Sequence, residues 1–253
     1  QLSPPTPALT ATQQLQLSPP TLDPAFTSQL VPLTMSAPSF SLYYWDIRGR
    51  AEVLRLTFAL KGASVEVKAI VDMKTDKDLY KFGQAPVLID NDASLTIWQS
   101  NTMIRYVARK FGLEGTTEAD RIKVDMTVEA VESMRNPYVE MVYVGCMSEE
   151  AKAKFVATYI DKANVNGRNG GAHFDYFEKL LTKDGLITGC GITIGDICLW
   201  DMLDTVMRVF ASEIKASYPA LCAFHAKFAA EPSIAAYLAS DKRPVQPNNN
   251  QMG

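Results

Sequence analysis

The chain has 253 residues, an ordinary apolar fraction of 47% and a formal net charge of −3 from 25 basic and 28 acidic residues. That length holds one large domain or two small ones, and the interspersed charges offer no electrostatic case for a nucleic-acid or membrane-surface partner. No apolar run reaches spanning length, and Cys146, Cys190, Cys198 and Cys222 form neither a CxxC pair nor a metal-like grouping with His173 or His225. They read as reduced thiols of a cytoplasmic protein with no bound metal.

Residues 1–38 are rich in Pro, Ser, Thr, Gln and Leu, contain no Lys or Arg, and repeat Gln-Leu-Ser-Pro-Pro-Thr at Gln1 and Gln16. Such a segment buries little surface, so it is expected to be a disordered extension, with Met35 as a natural start for the folded domain. It has neither the basic character of a transit peptide nor the core of a secretory signal.

The aromatic run Leu42-Tyr43-Tyr44-Trp45 reads as a short buried strand. Arg48-Gly49-Arg50 breaks it, and Val53, Leu54, Leu56, Phe58 and Leu60 then recur at helical spacing up to Lys61-Gly62, a helix stop. A strand thus turns tightly into a helix whose N-terminus attracts negative charge. A Tyr hydroxyl with an Arg nearby suits an anion such as a thiolate. Tyr43 and Tyr44 face opposite ways on an extended chain, so only one can serve.

Ser64 to Val71, with Val65, Val67 and Ala69 alternating with polar residues, predicts a half-buried strand. Lys74 to Tyr80 is polar and irregular or briefly helical. Gly83-Gln84-Ala85-Pro86 opens an apolar strand through Asp90, with Pro where no ladder donor is required. Asn91 to Ser94 forms a turn, Leu95 to Trp98 a returning strand, and Gln99-Ser100 a junction into a helix from Asn101 to Phe111 closed by Gly112. The order is βαβ then ββα, expected over residues 39–114.

Three motifs in this half resemble the cytosolic glutathione S-transferases that use a catalytic tyrosine, most closely their sigma class. These are the Tyr44 strand with its Arg-Gly-Arg-Ala-Glu turn, the Gly-Gln-Ala-Pro segment, and Gln99-Ser100. The resemblance spans residues 39–243 and implies an α/β thioredoxin-like N-terminal domain followed by an all-α C-terminal domain. It implies that Tyr44 activates the glutathione thiol and that Arg50, Gly83, Gln84, Ala85, Pro86, Gln99 and Ser100 bind the tripeptide, with Pro86 cis. Lys77 falls on a lysine that meets the glycyl carboxylate, and Met73 stands where the sigma class has a tryptophan, with Lys74 or Lys81 able to compensate. Glutathione would be the co-substrate and a small hydrophobic electrophile the partner. Glu129 falls on an acid that reaches across a homodimer to the neighbour's glutathione amine.

After a polar linker at 113–118 the chain is helical through residue 243. Val124, Val128 and Val131 keep one face apolar, Asn136-Pro137 is expected to interrupt or kink the pattern, and Ser148 to about Asn164 is a further amphipathic run. Asn166 to Gly171 reads as a turn, followed by a helix from Ala172 to Leu181. Thr193-x-x-Asp196 is a capping-box pattern opening a helix through Leu199, Trp200, Leu203, Val206 and Val209. Helices from Tyr218 to Ala230 and from Ile234 to Ala239 follow, and residues 244–253 are expected to be a loose tail.

In the helical half, Met134, Tyr138, Met141 and Val142 lie in the region that the resemblance assigns to the electrophile; apolar residues at helical spacing are more often core than pocket, and the resemblance tilts some of these toward a hydrophobic site, with Arg135 as polar trim or a solvent-facing charge. Other readings are a glutathione-dependent isomerase or peroxidase, prostaglandin D synthase-like, and a non-catalytic structural member of the family.

Overall fold

The computed structural model describes residues 39–164 and 173–253; the N-terminal extension and the 166–171 turn lie outside the described residues. Strand β1 (Phe40–Tyr43) leads through a short 3-10 turn into α1 (Glu52–Lys61), and β2 (Val65–Lys68) returns parallel to β1. Then β3 (Val87–Asp90) and β4 (Leu95–Trp98) add an antiparallel hairpin, giving the order β2-β1-β3-β4. This is a thioredoxin-like mixed sheet. Helix α2 (Ser100–Phe111) follows, and both α1 and α2 end on a left-handed glycine, Gly62 and Gly112, as the sequence anticipates.

Two strand details depart from expectation. The alternation over Ser64–Val71 yields only four strand residues, and Val67 is exposed because β2 is the sheet's edge. Tyr44 lies one residue beyond β1. The strand therefore delivers its side chain to the end of the sheet, not to a sheet face.

The helical domain comprises α3 (Glu118–Tyr143), α4 (Glu149–Phe155), α5 (Phe174–Leu180), α6 (Ile194–Ser217), α7 (Pro219–Ala229) and α8 (Pro232–Leu238). A Thr117–Asp120 capping box starts α3. The helix then runs without interruption through Pro137, where the sequence predicts an interruption or a kink, and packs along α6. The run from Ser148 is not one helix. After α4 it widens into a π turn over Val156–Ile160, which lets Phe155 contact Tyr159 and stack on Phe210 at 5.5 Å.

Helix α6 is buried almost all round from Ile194 to Val206, leaves helical geometry at Phe210 (φ −121°, ψ 37°), and its start is fixed as the motif predicts. Asp196 accepts from the Thr193 backbone N–H at 2.8 Å, from the Thr193 hydroxyl at 2.6 Å, and from the Ile187 N–H at 2.8 Å. The Ile194 N–H donates to the Leu113 carbonyl at 2.8 Å, tying α6 to the end of the first domain.

Helix α1 is buried on the sheet side and also against α6 and α8. Leu54 and Leu56 are wholly buried, each contributing about 1.5–3 kcal/mol. One apolar core runs through both domains. Among the described residues, no helix is long and apolar enough to cross a membrane.

Residues 244–253, expected to be loose, are a correction. The Arg48 and Gly49 N–H groups donate to the Gln246 and Pro247 carbonyls at 2.9 and 3.1 Å. The Arg48 guanidinium donates to the Pro244 and Val245 carbonyls, both at 3.0 Å. At the far end, the Asn249 N–H donates to the Tyr143 hydroxyl at 3.1 Å. The segment is strapped onto the turn that carries Tyr44.

Candidate active site

Two cavities meet where the domains join. The first, of about 400 Å³, is bounded by the loop before β3 and the start of α2. Gly83, Gln84, Ala85 and Pro86 line it, as do Gln99 and Ser100, together with Arg50. The second, of about 230 Å³, lies between the β1–α1 turn, α3 and the C-terminal strap. Trp45, Arg50 and Ala85 line both.

The walls of the first cavity follow from local backbone. The Ala85–Pro86 peptide is cis, as the resemblance implies. Gln99 is held at φ 67°, a left-handed conformation uncommon for a non-glycine residue, and its amide donates to the Gln84 side chain at 3.0 Å. No side-chain cap is made by Gln99, so the first N–H groups of α2 stay available to an anion.

Arg50 reaches over from the first turn and makes a bidentate pair with Glu132 of α3, at 2.9 and 2.7 Å. Glu132 also lines the first cavity, although nothing in the sequence marks it. Its partner is 82 residues away, and only the docking of α3 brings them together.

Lys77 does not line the cavity; its ammonium donates to the Met73 carbonyl at 3.2 Å. Met73 itself is a wall residue. Lys81 sits over the ring of cavity-lining Trp98, 5.3 Å from its centroid, and the Trp98 indole N–H is engaged by the Leu79 carbonyl at 2.8 Å. Glu129 also lies outside both cavities, paired within its own chain to Arg105.

Tyr44 lines the second cavity, whereas Tyr43 lines neither and lies under the Lys68 ammonium. The Tyr44 hydroxyl accepts the Arg50 backbone N–H at 3.0 Å. Burial raises its pKa above the ordinary tyrosine value, although that N–H and the Arg135, Arg50 and Arg55 charges pull the other way. Tyr44 is thus a neutral O–H donor near pH 7. Gly49 makes room for it: at φ +42°, a Cβ there would stand 2.5 Å from the Tyr44 hydroxyl.

Of the four residues expected at the electrophile site, Tyr138 lines the second cavity. Met134 and Val142 are wholly buried core, and Met141 faces a groove between α3 and α4. The cavity is faced instead by the neighbouring stripe of α3, Arg135, Val139 and Tyr143, at helical spacing after Glu132. Apolar periodicity selects the helix face that packs on α6; the cavity uses the face beside it. Thr205 and the strap residues Pro247, Asn248 and Asn249 complete the wall.

Comparison with known proteins places this geometry in context. The family model for the glutathione S-transferase N-terminal domain matches residues 40–109, and that for the glutathione S-transferase C-terminal domain matches residues 132–241. The chain is 31% identical to glutathione S-transferase P 1 of Xenopus laevis, over 85% of this chain and 100% of that one. It is 32% identical to human glutathione S-transferase Mu 3, over 85% and 94%. A solved Pi-class glutathione S-transferase of Onchocerca volvulus superposes with a TM-score of 0.72 at 29% identity, covering 85% of this chain and 100% of that one. These relatives carry Pi and Mu names, so the sigma class expected from the sequence is not supported.

Proposed function

The chain belongs to the glutathione S-transferase family, and from that premise we propose that it joins glutathione, held in the first cavity, to an electrophile held in the second. The observation that carries this reading is the position of Tyr44. Its oxygen is occupied by the Arg50 N–H, its own proton remains to be donated, and it stands in the second cavity beside Trp45, Arg50 and Ala85, which border both.

A free thiol has a pKa of about 8.5, and donors or positive potential lower it. Tyr44 would donate its O–H to the glutathione sulfur, favouring the thiolate, with Arg50 and Arg135 adding positive potential. The thiolate is the nucleophile and Tyr44 stabilises it.

The γ-glutamyl carboxylate fits the open N-terminus of α2 at Ser100. Ala85, before the cis proline, presents backbone to the cysteinyl unit, while Gln84 and Gln99 hold the first cavity's wall. At the glycyl end, Lys81 is better placed than Lys77, because its ammonium already rests on a wall residue.

Self-association into a homodimer is part of this reading. Ile122 and Met126 are more than half exposed on α3, and Phe82 is 63% exposed beside the first cavity, an apolar surface that a second copy would cover. Glu129, on the same helix, is the residue proposed to reach the neighbour's glutathione amine, which requires its release from Arg105.

The reading is tested by conjugation of glutathione to a chloronitrobenzene acceptor, with Tyr44→Phe beside the native protein. A native protein that binds glutathione but conjugates nothing, or a variant with full activity, would remove Tyr44 from the role.

A further inference from the structure

Glutathione carries two carboxylates, and the first cavity has a built partner for one of them. In the transferase reading, the γ-glutamyl carboxylate meets the open N-terminus of α2 at Ser100. Among the described residues that line the cavity, Arg50 is the only cation, and its two terminal nitrogens are held by Glu132 at 2.9 and 2.7 Å. Gln84 and Gln99 are bonded to each other at 3.0 Å, and Asn101 stands one residue beyond Ser100. The large side chains then left in the wall are Trp45, Met73, Phe82 and Trp98, all uncharged. The Trp98 N–H is already engaged by the Leu79 carbonyl at 2.8 Å.

Two lysines touch these wall residues from outside the cavity. Lys77 gives its ammonium to the Met73 carbonyl at 3.2 Å, and Lys81 rests 5.3 Å from the centroid of the Trp98 ring. Both are exposed. An exposed ion pair is worth little, so even a contact from Lys81 favours a free carboxylate by no more than about fivefold. A site built around a charged group rejects the neutral analogue, because its own charge is then left unpaired; this wall has no such charge to leave. A neutral end also loses less hydration than a carboxylate on meeting aromatic and thioether surface.

Building on the transferase reading, we propose that the first cavity reads only the γ-glutamylcysteinyl part of its thiol, and that γ-glutamylcysteine thiols whose third residue ends in a neutral amide or ester are co-substrates beside glutathione. The chemistry is that of glutathione itself. With a chloronitrobenzene acceptor, the thiolate sulfur bonds to the ring carbon, chloride leaves with the bonding pair, and the thiol proton passes to solvent. No further reactant is required. The third residue lies against the wall of Trp45, Met73, Phe82 and Trp98, where its carboxylate contributes little to binding.

The test gives the native protein three thiols: glutathione, its glycyl ethyl ester, and cysteinylglycine, which lacks the γ-glutamyl unit. Each kcat/KM is divided by that thiol's own uncatalysed rate with the same acceptor, which removes differences in thiol reactivity. The ester is expected within about fivefold of glutathione, and cysteinylglycine at least about tenfold below it. Binding without chemistry is read from the tryptophan fluorescence of Trp45 and Trp98, which line the cavity, on adding S-methylglutathione or its ethyl ester. The two Kd values should also agree within about fivefold. A larger preference for the free acid in either measurement would overturn the proposal and show that the glycyl carboxylate has a built partner. Cysteinylglycine performing as well as glutathione would overturn it too. A protein that conjugates glutathione but not its ester fails the proposal alone; one that conjugates none of the thiols fails the transferase reading with it.

Discussion

The backbone N–H of Arg50 donates to the hydroxyl oxygen of Tyr44 across 3.0 Å, so the turn that follows the strand also orients the phenol. Tyr44→Phe removes the donor to sulfur and leaves that N–H without its acceptor. A hydrogen bond to an anion is worth about 1.5–3 kcal/mol, so turnover should drop roughly 10- to 100-fold. The thiol of bound glutathione should titrate closer to the free value of about 8.5. Stopped-flow rates and a pH titration of thiolate absorbance check both.

Arg50 and Glu132 make a two-pronged pair across the domain junction. Because the Arg50 side chain is 36% exposed, its coupling to Glu132 should be modest, about 1 kcal/mol in a double-mutant cycle of denaturant stability. Arg50→Ala and Glu132→Ala should each raise KM for glutathione more than they lower kcat, since both line the first cavity. A variant with unchanged KM would place that residue outside the binding role.

The strap makes a prediction about protection. Truncation after Arg243 deprives the Arg48 and Gly49 amides of the Gln246 and Pro247 carbonyls, so hydrogen exchange at both should accelerate markedly. Because Pro247, Asn248 and Asn249 wall only the second cavity, KM for the electrophile should change while KM for glutathione holds.

Asp204 ties the same region to acid stability. It accepts from Arg243 at 2.6 Å and lies 3.1 Å from His225 and 3.6 Å from Arg48. Burial pushes its pKa up, but these partners, His225 and Arg243 foremost, bring it below the ordinary value. A carboxyl depressed by folding lends stability that is present in full above its unfolded pKa of about 3.9 and is lost as pH falls through the lower folded value. Asp204→Asn should therefore flatten the acid limb of the stability curve below about pH 4. At neutral pH the protein should be weaker by about 1.5–3 kcal/mol, because Arg243 loses a partly buried charged acceptor and keeps only Glu52. Urea unfolding from pH 2 to pH 7 measures both effects.

What the sequence makes legible is whatever is decided within a few residues. The Tyr44 turn, the Gly83–Pro86 segment, the left-handed stops at Gly62 and Gly112 and the Thr193–Asp196 box all depend on near neighbours, and the structure shows each in its expected place. Glu132 escapes because its partner, Arg50, lies 82 residues away; Arg135, open in the sequence between polar trim and a solvent-facing charge, lines the second cavity and pairs with Asp201, 66 residues away. Met134 and Val142 mislead for a related reason: helical spacing reports that a face is buried, not whether core or cavity buries it. The strap escapes because most of the groups it offers to the Arg48–Gly49 turn and to Tyr143 are backbone N–H and C=O, which every residue possesses and no pattern of Pro and Asn announces.

Gly49 sets a limit on how this turn can be altered. With φ at +42° and the Tyr44 hydroxyl 2.5 Å from where a Cβ would stand, even alanine at position 49 displaces the phenol. In a library randomised at 49 and selected for conjugation, glycine should be recovered almost alone. Efforts to broaden the enzyme's repertoire have to leave that site untouched and diversify the strap and the Val139–Tyr143 face of α3 instead.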